Sequence, residues 1–235
     1  VSAWSANSKF PFIGGIRALY QMVSFEIPLI LSLLGIVMLT GSLNLVEIVE
    51  SQVNFPWIIF MPVGAIVFFI CILAELERIP FDLPEAESEI VAGWLTEFSG
   101  MMYGLVQLGS YLKLYAFAAL FVVLFLGGWN GPVIVPPFPA EIVTDGITVM
   151  PDALTVEIVG LPLFTHEMIN GTIWFILKTV GVIFFILLPR GVFPRVRIDL
   201  LLKIGWYKLI VLAFVNIFIA LALVYGGIIG PGGIL

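Results

Sequence analysis

Five apolar stretches of about twenty residues, at 23–43, 56–76, 100–126, 170–188 and 206–229, constrain this chain more than any motif does. Each is long enough to cross ~30 Å of hydrocarbon as a helix of ~20 residues. Between them the chain offers little to water. Only 11% of its residues are charged and 61% are hydrophobic, whereas a soluble domain is about a quarter charged. Lipid is therefore the main solvent. The pattern predicts an all-α, polytopic membrane helix bundle of about five transmembrane helices, forming a single domain over 1–235. Segment 1–11 reads as polar and lacks the apolar core of a cleavable signal peptide.

Charge and cysteine content exclude several functions. A formal net charge of −6 speaks against nucleic acid as a partner. The single cysteine, Cys71, cannot form a disulfide or hold an iron–sulfur cluster within these residues. The single histidine, His166, excludes a bis-histidine haem. No bound cofactor is expected on this chain, so any electron carrier belongs to another subunit.

The basic residues lie on one side. Lys9 and Arg17 precede the first stretch and Arg78 follows the second. Arg190, Arg195, Arg197, Lys203 and Lys208 lie between the fourth and fifth or just inside the fifth. The opposite loops, 44–55 and 127–169, contain no Lys or Arg. By the positive-inside rule the N-terminus of the chain is cytoplasmic, its C-terminus external, and loop 127–169 external. Gly131-Pro132 and Pro136-Pro137 predict an irregular outer loop with room for a short strand.

One inner loop breaks the charge trend. Residues 75–97, ELERIPFDLPEAESEIVAGWLTE, hold Glu75, Glu77, Asp82, Glu85, Glu87, Glu89 and Glu97 against one base, Arg78. Pro80 and Pro84 bound a turn, and Asp82 with Glu85 reads as a helix start. A short helix would then run through Glu89 toward Gly93. On it Asp82, Glu85 and Glu89 share a face and Glu87 points elsewhere. A solvated acidic helix start is the simplest alternative. Against it, Ile79, Phe81, Leu83, Ile90, Val91 and Trp94 make the loop too apolar for full exposure. Carboxylates ~6 Å apart at an effective dielectric of ~20 repel by roughly 3 kcal/mol. A partly buried set of them suits a proton relay.

Three more charges fall in or beside the stretches. Glu26 lies near the start of the first, Lys113 midway along the third and Lys178 midway along the fourth. Charges at such depth are expensive and face polar interiors or each other. A structural ion pair or a snorkelling lysine is the alternative to a place on a proton path.

The run AELERIPFDLPEAESEIVAGWLTEFSG, at 74–100, resembles the signature of the subunit-1 family of complex I, NADH:quinone oxidoreductase. Two further blocks match in order: NSKFPFIGGIRALYQMVSFEIPL at 7–29 and FPRVRIDLLLKIGWYKLI at 193–210. The resemblance extends to deazaflavin-type dehydrogenases, chloroplast-type relatives and, more distantly, membrane-bound hydrogenases. It spans nearly the whole chain except loop 127–169.

The resemblance implies a membrane subunit that roofs the chamber of a lipid-soluble acceptor, a quinone or phenazine. A peripheral iron–sulfur subunit would dock on the cytoplasmic face and supply electrons from its clusters. Small membrane subunits and antiporter-like subunits would be further partners, in a plasma or equivalent energy-coupling membrane. Arg78, Phe81, Asp82 and Glu85 would line the chamber. Glu26, Glu75, Glu85, Glu87, Glu89 and Glu97 would form an acidic funnel for protons or sodium, continued by Lys113 and Lys178 inside the membrane. Family members carry about eight spans, three of them before the position of Val1. Many have a glutamate where Ser110 stands, and some chloroplast-type relatives share the serine.

Other classes of function compete with this one. A stand-alone channel or transporter would use the same carboxylates, but transporter sites cluster at the bilayer midplane. A passive anchor for a peripheral arm leaves the seven acids unexplained. A hydrogenase-type membrane component would share the coupling role.

Overall fold

The computed structural model describes residues 2–5, 8–84, 93–96, 98–132, 157–158, 161–162, 166–194, 196–227, 229–230 and 233–234. Its helices are α1 (Ser2–Ser5), α2 (Lys9–Thr40), α3 (Leu45–Glu50), α4 (Trp57–Phe60), α5 (Pro62–Glu75) and α6 (Met101–Phe125). They continue with α7 (His166–Leu187), α8 (Pro189–Val192), α9 (Ile198–Lys203) and α10 (Ile210–Tyr225). A π-helical turn, Ile204–Leu209, joins α9 to α10. The described strands are short: Glu157–Ile158 pairs with Leu161–Pro162, and Ile229–Gly230 with Gly233–Ile234. The all-α membrane class holds.

Among the described residues four helices, not five, are long and apolar enough to span: Lys9–Thr40, Met101–Phe125, Met168–Val192 and Ile198–Tyr225. The expected span at 56–76 is broken at Met61, between α4 and α5. Met61 sits at φ −127°, ψ 58° because the following Pro62 disfavours the helical region for its predecessor. Pro62 then starts α5, where its missing N–H costs nothing. The first spanning helix, α2, also starts earlier than its apolar run, at Lys9, and reaches 32 residues, roughly 48 Å.

Helix α2 is the spine, packed against α5 and α10. Its buried stripe repeats at three and four residues through Gln21, Ser24, Phe25, Pro28, Ser32, Gly35, Ile36 and Leu39. Small and polar residues dominate this stripe because lipid gives apolar side chains no reason to turn inward, and close backbone approach supplies the attraction. Asn216 of α10 is fully buried and donates to the Ser32 carbonyl at 3.4 Å. A Cβ at Gly35 would lie 2.5 Å from its amide nitrogen, and one at Gly64 would lie 2.8 Å from its Cγ. Two glycines therefore make room for one amide at a three-helix crossing. Nearer the N-terminal end of α2, the Trp206 indole donates to the Ser24 hydroxyl at 3.0 Å. Helices α5 and α6 meet through Phe68, Phe121 and Phe125, with ring centroids 5.2 to 6.2 Å apart.

Candidate functional site at the C-terminal end of α5

Helix α5 ends on a Schellman turn. The Glu77 N–H donates to the Ala74 carbonyl at 3.2 Å, and the Arg78 N–H to the Leu73 carbonyl at 3.4 Å. Glu77 takes the left-handed position at φ 51°, where glycine is usual and another residue costs on the order of 1 kcal/mol. The turn leaves the Glu75 carbonyl without a backbone partner. Lys113 of α6 supplies one: its Nζ lies 2.7 Å from that carbonyl and 2.8 Å from the Glu75 carboxylate. The pair is only partly shielded, with Glu75 16% and Lys113 44% exposed. Lys113 also lies 5.9 Å from the Phe117 ring centroid.

The turn is held from other directions as well. Buried Gln21 of α2 donates to the carbonyls of Ala74, at 2.7 Å, and Phe81, at 2.8 Å. Phe81 is buried against Phe25, with centroids 5.6 Å apart. The Val196 N–H donates to the Pro80 carbonyl at 3.1 Å, so the chain just before α9 is tied to the same turn. The Arg78 guanidinium lies over the Tyr111 ring, 5.2 Å from its centroid. A pocket of about 280 Å³ opens here, lined among others by Glu75, Glu77, Arg78, Ser110 and Lys113.

The structure thus brings Glu75, Arg78, Phe81 and Lys113 to one place, with the partly buried Asp82 beside Phe81. Glu85, Glu87, Glu89 and Glu97, with the short helix expected through Glu89, lie outside the described residues. Glu26 sits on the exposed face of α2 with Met22, Val23, Ile27 and Ile30.

Lys178 is elsewhere. Its Nζ donates to the carbonyls of Leu126, Gly128 and Asn130 at 2.7, 3.1 and 2.6 Å, just past the end of α6. Lys113 lies twelve residues before Phe125 in α6, so the two lysines serve points roughly 18 Å apart along that helix. Lys178 also borders the larger cavity, about 1330 Å³, between the C-terminal end of α6, the N-terminal half of α7 and the 45–56 segment. That cavity is at the opposite end of α6 from the Glu75–Lys113 contact.

Reading the residues left out Gln21 and Tyr111. Gln21 had a signal, since it falls on the three-and-four-residue stripe of Ser24, Pro28, Ser32 and Gly35. Tyr111 had none, because a tyrosine in an apolar helix looks like any other aromatic.

The family model for NADH dehydrogenase matches residues 1–221. The chain is 43% identical over 216 residues to the H-type subunit of the NADH-quinone oxidoreductase of Bacillus cytotoxicus, with 92% of this chain and 56% of that protein covered. The same identity and coverage hold for the corresponding protein of Geobacillus sp. strain WCH70. The chain therefore spans about half the length of the curated relatives it matches. Among solved structures it is similar in fold to a chain of the membrane-bound sulfane sulfur reductase, an archaeal respiratory membrane complex. The TM-score is 0.72 at 24% identity, covering 93% of this chain and 62% of that one. A family match across nearly all its residues and relatives well above 30% identity place this chain in the NADH dehydrogenase family.

Proposed function

We propose that the chain serves as the acceptor-site membrane subunit of a complex I-like respiratory oxidoreductase. Electrons reach a quinone or phenazine from the clusters of a peripheral iron–sulfur subunit docked at the inner loop. Electrons arriving on such an acceptor give it negative charge until protons follow from neighbouring groups, so the charge beside the 75–97 loop changes with each turnover. The carboxylates of that loop answer the charge, and the chain passes the response to antiporter-like subunits as proton or sodium movement.

The observation that carries this reading is the meeting of Glu75, Arg78 and Lys113 around one polar pocket where α5 enters the loop. Acid and base from separate elements share the pocket with Ser110, so the missing family glutamate leaves a polar position beside a fixed cation. Arg78, Phe81, Asp82 and Glu85 form the chamber wall. Glu26, Glu75, Glu85, Glu87, Glu89, Glu97 and Lys113 form the path, with Lys178 as its far end. Exposure of Glu26 on an apolar helix face also supports a larger assembly, since a carboxylate facing lipid is costly and wants a protein neighbour.

The test uses the intact complex. Arg78→Met should abolish most acceptor reduction while iron–sulfur subunits still co-purify. Full reductase activity in that variant would remove the inner loop from the chamber wall.

A further inference from the structure

Arg78 is held in an uncommon way. Its backbone N–H closes the Schellman turn on Leu73, which fixes the main chain. Its side-chain Nη2 is buried and has no hydrogen-bond partner among the described residues. Buried donors normally find an acceptor, and each exception calls for a reason. The contact the side chain does make is with the face of Tyr111. A ring face attracts a cation without consuming any of its N–H groups. Tyr111 therefore secures the charge without occupying any N–H group, and Arg78 lines the pocket it shares with Glu75, Ser110 and Lys113.

The placement of the ring is not incidental. Residues 111 and 113 are two apart on α6, hence about 200° around the helix. The turn after α5 reaches α6 on two sides, with Glu75 on Lys113 and Arg78 on Tyr111. A two-sided grip fixes the rotation of α6 relative to the turn, and with it where the guanidinium points.

We propose that Tyr111 is a positioning residue for acceptor reduction: its ring presents the Arg78 guanidinium to a carbonyl oxygen of a quinone-class acceptor. The proposal rests on the inner loop being the chamber wall. As the acceptor gains electrons its carbonyl oxygen gains negative charge, and a charge-assisted N–H donor stabilises it. Tyr111 touches no reacting atom and acts only through Arg78.

The experiment measures KM and kcat of the intact complex for a short-chain, water-soluble quinone. Tyr111→Leu should lower kcat/KM between about 2-fold and 30-fold, the range a cation–π contact spans, with part of the loss in kcat because the stabilised charge develops during reduction. Electron input measured with an artificial acceptor should not change. Tyr111→Phe and Tyr111→Trp, which keep a ring, should stay within about 2-fold of the parent. In an Arg78→Met background, Tyr111→Leu should add nothing. If Arg78→Met is impaired and Tyr111→Leu is not, the positioning role fails and the chamber reading stands. If Arg78→Met is normal, the chamber reading fails and takes the proposal with it. Should Tyr111→Leu disturb assembly, the ring-bearing variants decide: a large fall in kcat/KM in both means that the ring face is not what matters.

Discussion

The Lys113 ammonium bonds two oxygens of one residue, the carbonyl of Glu75 at 2.7 Å and its carboxylate at 2.8 Å. One side chain is thus both a cap for the end of α5 and an ion partner. The cap bond persists whether or not the carboxyl is charged. Lys113→Met removes both bonds and should lower stability by about 1–2 kcal/mol. Glu75→Gln leaves the cap and should cost less than about 1 kcal/mol. Thermal unfolding in detergent measures both, and equal losses would show that the carbonyl bond contributes nothing.

Lys178 spends its hydrogen bonds on three carbonyls beyond the end of α6. Lys178→Met strands those carbonyls and should cost about 2–4 kcal/mol, with Lys178→Arg less damaging. The ion-to-electron ratio of complexes that survive should fall. An unchanged ratio would make Lys178 a clamp rather than a working part of the path.

The Asn216 crossing predicts a rescue. Gly64→Ala places a methyl against the Asn216 amide and should destabilise by about 1–3 kcal/mol. Asn216→Ala vacates that space, so the double variant should be more stable than additivity allows. Strict additivity in a double-mutant cycle would argue against the contact.

Glu89 and Glu97 fall in the second half of the acidic loop in sequence, before the 101–125 helix, and are proposed coupling residues. Glutamine at either position keeps size and hydrogen bonding but cannot change charge. In reconstituted vesicles Glu89→Gln and Glu97→Gln should slow electron transfer without raising the ion-to-electron ratio. Asp152→Asn, in the outer loop, is the silent control. Variants that pump and reduce like the parent would return these acids to the role of a helix cap.

Topology is directly testable. Cys71 is fully buried in α5, so a Cys71→Ser background mainly guards against labelling during unfolding. Asp152→Cys in that background should react with impermeant thiol reagents from outside only. Labelling confined to the cytoplasmic side would invert the orientation.

The sequence alone determined the membrane class, the positions of the apolar segments and the residues of the inner loop. Hydropathy needs only composition over a window, and the 74–100 run is long enough to mark the family by itself. Tertiary structure decided the rest. Pro62 was readable as a helix start, but the conformation of Met61 shows that the second apolar segment is broken rather than continuous. Lys113 and Lys178 look alike in sequence, each a lone cation in an apolar helix. One meets a carboxylate midway along α6 and the other a set of carbonyls just past its C-terminal end, because neighbouring segments bring those groups within reach. Tyr111 gains its place beneath Arg78 from a turn that reaches α6 on two sides. Such pairings join residues more than thirty positions apart, and a periodic pattern read along one helix carries no information about which side chain its neighbour presents.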